Sequence, residues 1–99
     1  MHESMLKSEE MDMLFDAVLS LKTAEECYMF FEDICTISEL KSIAQRMKVA
    51  ALLREGHTCH DISVKTGAST ATISRVNKCL NYGTGGYGLV LGRLEGRED

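Results

Sequence analysis

Residues 58–80, TCHDISVKTGASTATISRVNKCL, decide the fold. They read as two short helices joined by a tight turn. Thr58 is placed to cap the first, with Asp61 three residues on as a weaker form of the capping box. The helix stops at Gly67, where a turn with positive φ excludes most residues that carry a Cβ. Ser69 is a good N-cap for the second helix. The expected buried positions are Ile62, Ala68, Ile73 and Val76. Ser63 is small where the helices cross, and Thr66 stands where an aliphatic residue is more usual. The second helix opens Ser69-Thr70-Ala71-Thr72 and carries Ser74, Arg75, Asn77 and Lys78. A helix-turn-helix needs this arrangement to set small polar side chains on base edges and cations near phosphates.

Working upstream, residues 37–55 carry Ile37, Leu40, Ile43, Ala44, Met47, Ala50, Ala51 and Leu53 at helical spacing. Thr36 and Glu39 form a capping box at the start, and Gly56 follows the end as a left-handed cap. The apolar stripe is wide for a monomer of this size and fits a helix buried between protomers. Thr23 and Glu26 make another capping box, opening a helix with Cys27, Phe30, Phe31 and Ile34 on one stripe. Before it, residues 9–21 place Met11, Leu14, Phe15, Val18 and Leu21 on one face, with acids on the other.

Downstream of Leu80 the chain reads NYGTGGYGLVLG. Its glycines argue against a rigid helix and for a flexible connector. A phosphate-cradling loop would need a preceding strand, and none is expected here. Leu89, Val90, Leu91 and Leu94 allow a short terminal helix, which Gly88 and Gly92 weaken. The expected organisation is one all-α domain over residues 1–99. Residues 1–55 form a helical dimerisation part, 58–81 the helix-turn-helix and 82–99 a Gly-rich tail.

The 99-residue chain is 44% apolar and lacks Trp and Pro, a globular composition. No apolar run approaches the ~20 residues that span a bilayer, and MHESMLKSEEMD has no apolar core of a secretory signal. A cytoplasmic protein without a membrane partner is expected. The net charge of −4 conceals an asymmetry. Residues 1–40 hold ten acids against two lysines, net −8, and residues 41–82 hold seven cations against two acids, net +5. A basic face opposite a solvating acidic one is the footprint of nucleic-acid binding, although +5 is also within ordinary scatter. Cys27, Cys35, Cys59 and Cys79 match no zinc or redox spacing and read as small apolar fillers. His57, Cys59 and His60 lack a fourth ligand, so neither metal nor cofactor is expected.

Thr36 to Leu80 resembles the Trp repressor family without gaps. The resemblance rests on the Thr-x-x-Glu opening, the long helix ending Leu52-Leu53-Arg54, and the run Gly67-Ala68-Ser69-Thr70-Ala71-Thr72-Ile73-Ser74-Arg75. The N-terminal half and the NYGTGGYGLVL tail are similar to the YerC/YecD-type branch found in Firmicutes. The resemblance implies a Trp-repressor-like helical bundle that forms an intertwined homodimer. Two helix-turn-helix units would then enter successive major grooves of double-stranded DNA. It also implies a transcriptional regulator, a repressor by analogy.

Within that frame Thr70, Ala71 and Ser74 lie where base edges are reached. Ala71 can meet a thymine methyl, and the hydroxyls can read directly or through water. Ser69 and Thr72 sit near the positive helix end. Thr58, His60, Lys65 and Lys78 are candidates for backbone contact, and Arg75 for phosphate. No cation stands at the first turn to grip guanine, so specificity is expected to rest on water, thymine methyls and DNA shape.

The family's founding member holds a corepressor between its long helix and its recognition helix. The pocket positions correspond to Thr36, Arg46, Thr72, Arg75, Val76 and Cys79. Arginines and threonines match at Arg46, Arg75, Thr36 and Thr72. Val76 replaces the glycine against which the indole lies, and Cys79 replaces a serine. A valine adds three carbons where the family leaves a gap, so L-tryptophan is not the expected effector. Arg46 has a plainer reading as a solvated helix residue, and Arg75 as a phosphate contact alone. Two alternatives stand beside the DNA reading: a protein-interaction adaptor on the same fold, and a regulator with a different small-molecule corepressor. An enzyme is not expected, because the acids at 9–16 and 25–33 lie on outward faces. Cys59 and His60, as neighbours on a helix, point apart.

Overall fold

A computed structural model of the protein describes residues 3–96; positions 97–99 of the expected tail lie outside the described residues. The described residues form six helices and no strand: α1 Glu9–Leu19, α2 Ala24–Ile34, α3 Ile37–Arg54, α4 Cys59–Thr66, α5 Thr70–Tyr82 and α6 Gly86–Glu95. The backbone divides into two compact units, residues 1–40 and 41–99, with the boundary inside α3.

In the first unit each helix start is held by a side chain. Ser8 Oγ accepts the Met11 N–H at 3.1 Å, and Thr23 Oγ1 accepts that of Glu26 at 3.1 Å. The carboxylate arm of the Thr23 box reaches one residue further back than expected, taking the Lys22 N–H at 2.9 Å. The box at α3 closes in both directions. Thr36 Oγ1 accepts from Glu39 N at 3.0 Å, and Glu39 Oε1 accepts from Thr36 N at 2.8 Å. These bonds hold the Glu39 carboxyl below the usual carboxylate range, the backbone bond contributing most. Neither α1 nor α2 buries a side chain: Phe15 is 57% exposed and Met29 64%.

The second unit holds a core of Val49, Ala50, Leu52, Ile62, Ala68, Ile73, Val76 and Leu91. All four positions expected to be buried in the helix-turn-helix are among them. On α3 the buried face runs through Val49, Ala50 and Leu52, while Ile37 and Ile43 of the expected stripe stay exposed. One edge of the helix supplies the core beneath α4 and α5, so a second apolar edge is left over. The end of α3 is a Schellman motif: His57 N–H reaches Leu52 O and Gly56 N–H reaches Leu53 O, each at 3.1 Å. Gly56 takes φ 91°, as a left-handed cap requires.

The tail differs most from expectation. Helix α5 continues to Tyr82, and the glycine-rich segment beyond it folds as α6, the terminal helix its leucines allow, rather than as a flexible connector. Tertiary contacts override the local preference. Leu91 is only 5% exposed in the core, and burying a leucine contributes about 1.5–3 kcal/mol. That offsets the roughly 2 kcal/mol that Gly88 and Gly92 cost inside a helix. Arg54 fastens the same face. Its Nη1 donates to Gly88 O at 3.3 Å, and its Nε pairs with Glu95 Oε2 at 3.0 Å. Cβ atoms at Gly88 and Gly92 would stand 3.9 and 4.0 Å from the guanidinium, ordinary van der Waals contact.

Candidate nucleic-acid interface

The α4–turn–α5 unit is built from its caps inward. Thr58 Oγ1 accepts the Asp61 N–H at 3.1 Å and starts α4. Gly67 ends it at φ 74°, with its N–H on Ser63 O at 2.8 Å. Ser69 Oγ accepts the Thr72 N–H at 3.1 Å and starts α5. Thr66 has a reason not to be aliphatic. Its hydroxyl donates to Ile62 O at 2.7 Å and accepts from Ala68 N at 3.1 Å, tying the last turn of α4 to the chain entering α5. Gln45 on α3 donates from Nε2 to Thr66 O at 3.1 Å, binding the turn to the scaffold.

This packing turns the other face outward. Thr58, His60, Lys65, Ser69, Thr70, Ala71, Ser74, Arg75 and Lys78 are all exposed. Thr72 is half-buried, and its Oγ1 accepts from the Ser69 hydroxyl at 3.1 Å. The hydroxyls of Thr58 and Ser69 are thus occupied in capping. Thr70 and Ser74 stand one turn apart on α5 with Ala71 beside them, all three exposed. Among the described residues, Lys65, Arg75 and Lys78 form no ion pair with a carboxylate. No acid occurs from Ile62 through Leu94, so α5 and its flanks present positive charge uncompensated along the chain. An exposed face of small polar side chains and cations without carboxylate partners, on a capped two-helix frame, suits a polyanion with groove-displayed acceptors.

The family model described as Trp repressor protein matches residues 9–95. The chain belongs to the Trp repressor family. It is similar to YerC of Bacillus subtilis (strain 168), with 57% identity over 93 residues, covering 94% of this chain and 89% of that protein. The crystal structure of a TrpR-like protein from Eubacterium eligens ATCC 27750 superposes with a TM-score of 0.89 at 56% identity, covering 95% of this chain and 97% of that one. A Trp-repressor-like protein from Staphylococcus aureus gives a TM-score of 0.88 at 46% identity, covering 91% and 90%. Among the described residues, no helix is long and apolar enough to cross a membrane.

The residues matched to the Trp repressor corepressor pocket have separate environments. Thr36 is exposed and caps α3. Arg46 is half-buried and donates from Nη1 to Ser42 Oγ at 3.3 Å, a turn away on its own helix. Val76 is 1% exposed and belongs to the core. Arg75 is exposed, and Thr72 is engaged with Ser69. Cys79 lines an open apolar groove with Met47, Tyr87 and Val90. Sequence reasoning missed Gln45 and His57. Gln45 lies 21 residues from its partner carbonyl, and His57 meets Lys65 eight residues on, across the α3–α4 turn. Neither spacing carries a helical or motif signal.

Proposed function

We propose that this Trp repressor family protein is a sequence-specific DNA-binding transcriptional regulator, a repressor, that works as a homodimer through α4 and α5. The observation that carries the reading is the outward face of α5: Thr70, Ala71, Ser74, Arg75 and Lys78 exposed, with no acid on the helix. Thr70, Ala71 and Ser74 contact base edges. Arg75, Lys78, Lys65, Thr58 and His60 contact the backbone, with Ser69 and Thr72 at the amide end of α5. Pairing of two copies is supported by the first unit, where α1 and α2 bury no side chain and large apolar groups such as Met13 and Met29 remain open.

Regulation by L-tryptophan is not part of the proposal. Val76 occupies the position of the family glycine with a buried isopropyl group, and Cys79 faces a groove rather than an ammonium site.

The deciding experiment is selection of bound sites from a random duplex pool. The expected outcome is two half-sites about one helical turn apart, which tests dimerisation and groove docking together. Ala71→Arg abolishes site selection. Arg75→Ala weakens binding across sequences and lowers the salt slope by about one unit. Duplex binding without steep salt dependence, or with both variants at wild-type affinity, overturns the assignment. Calorimetric binding of L-tryptophan at micromolar affinity overturns the effector part.

A further inference from the structure

His57 sits at the α3–α4 turn between two charged groups. Lys65 Nζ lies 3.3 Å from its Nδ1, and Glu55 Oε1 lies 3.4 Å from its Nε2. A lysine ammonium has donors and no acceptor, so Nδ1 must be the accepting, unprotonated nitrogen. A neutral ring of that tautomer carries its proton on Nε2, the atom that faces the Glu55 carboxylate. Both contacts therefore call for the same tautomer. The ring is fixed in place as well. Its backbone N–H closes the Schellman motif on Leu52 O, and its side chain is only 26% exposed.

We propose that His57 is a positioning residue for DNA binding. Its unprotonated Nδ1 holds the Lys65 ammonium against the α3–α4 turn, and protonation of the ring releases that ammonium to a DNA phosphate. The inference rests on the reading of Lys65 as a backbone contact. Glu55 on the α3 side and Lys65 on the α4 side are the charged groups that meet the ring. In the neutral state the three groups sum to zero charge. When Nδ1 gains a proton, the acceptor for Lys65 becomes a second cationic donor at the same separation. Glu55 meanwhile gains a charged partner at Nε2 and stays with the ring. The ammonium loses its bond, meets a like charge and turns outward. A phosphate favours that released form, so binding takes up a proton and affinity rises as pH falls. His60, on the first turn of α4, has no such link to Lys65, so its contribution is a background common to all variants.

The test uses the whole protein and a random-sequence duplex at fixed salt. Affinity is measured from about pH 8 to about pH 5.5, the range in which imidazoles change charge. His57→Asn keeps an acceptor near the Nδ1 position without titrating, and Lys65→Met removes the released cation. Wild type should tighten across that range, and both variants should lose the part of that tightening linked to His57. A purely structural role for His57 would weaken binding equally at every pH and leave the slope intact. Nitrogen-detected NMR of the histidine rings gives a readout without DNA. It should show the Nε2–H tautomer of neutral His57. A full wild-type pH slope in His57→Asn or in Lys65→Met, or an Nδ1–H tautomer of His57, overturns the proposal. Failure of every variant and of wild type to bind duplex at any pH overturns the DNA reading itself, whatever the ring titration shows.

Discussion

Replacing Gly67 by alanine isolates the backbone requirement of the turn that aims α5. The residue has φ 74°, and a Cβ built on it meets nothing within 4 Å. No collision with a neighbour contributes, so the effect is conformational alone. A left-handed conformation costs an L-residue about 1–2 kcal/mol relative to the right-handed region. Alanine also restricts the unfolded chain, which returns roughly 0.4–1 kcal/mol. At mid-values of the two effects the net destabilisation is about 0.8 kcal/mol, which lowers the melting temperature by roughly 3–6 °C for a domain of this size. Gly67→Asn should be milder, because asparagine tolerates the left-handed region, and Gly67→Val harsher because it is β-branched. The assay is thermal or urea unfolding at one fixed protein concentration, since pairing of chains makes the midpoint concentration-dependent. Duplex affinity measured well below the midpoint should also fall, because the strain is relieved by rotating α5 away from α4. An alanine variant as stable as wild type, or an asparagine variant less stable than the alanine one, would show that Gly67 is not held in the left-handed region.

Three further outcomes follow from particular contacts. Leu91→Ala should destabilise the second unit by about 2–5 kcal/mol and expose the α6 amides to hydrogen exchange, whereas Arg54→Ala should cost about 1 kcal/mol or less, its pair with Glu95 being largely solvent-exposed. Thr66→Val should destabilise by about 1–3 kcal/mol despite being more apolar, because it orphans the Ala68 N–H; unfolding at or above wild-type stability would remove the role assigned to that hydroxyl. The Glu39 carboxyl, lowered mainly by the Thr36 N–H, contributes stability that is fully present above its unfolded-state pKa and is lost as pH falls through its lower folded-state pKa. Glu39→Gln should abolish that acid-side dependence, and Thr36→Ala, which keeps the backbone N–H, should reverse only the smaller, hydroxyl part of the lowering when followed by carboxyl-carbon NMR.

What the sequence determined by itself is local. Caps, stops and the small buried set of the helix-turn-helix depend on interactions within four residues. The caps Thr36/Glu39, Thr58/Asp61 and Ser69, the left-handed Gly56 and Gly67, and the apolar set Ile62, Ala68, Ile73 and Val76 were therefore legible without coordinates, whereas the left-handed Gly85 was not. The proposal that α5 is the reading helix rests on the same short-range chemistry, together with its run of small polar residues and cations.

The tertiary structure alone decided three things, each resting on contacts far apart in the chain. Segment 86–95 is helical although its glycines disfavour it, because Leu91 enters a core built 40 residues earlier and Arg54 lies along the same face. The turn between α4 and α5 is tied to α3 because Gln45, 21 residues earlier, donates to the Thr66 carbonyl. Lys65 is held by an imidazole that no motif connects to it. Helix propensity and capping are set by neighbours in sequence. Burial, and the partner of a long side chain, are set by whatever the fold brings alongside.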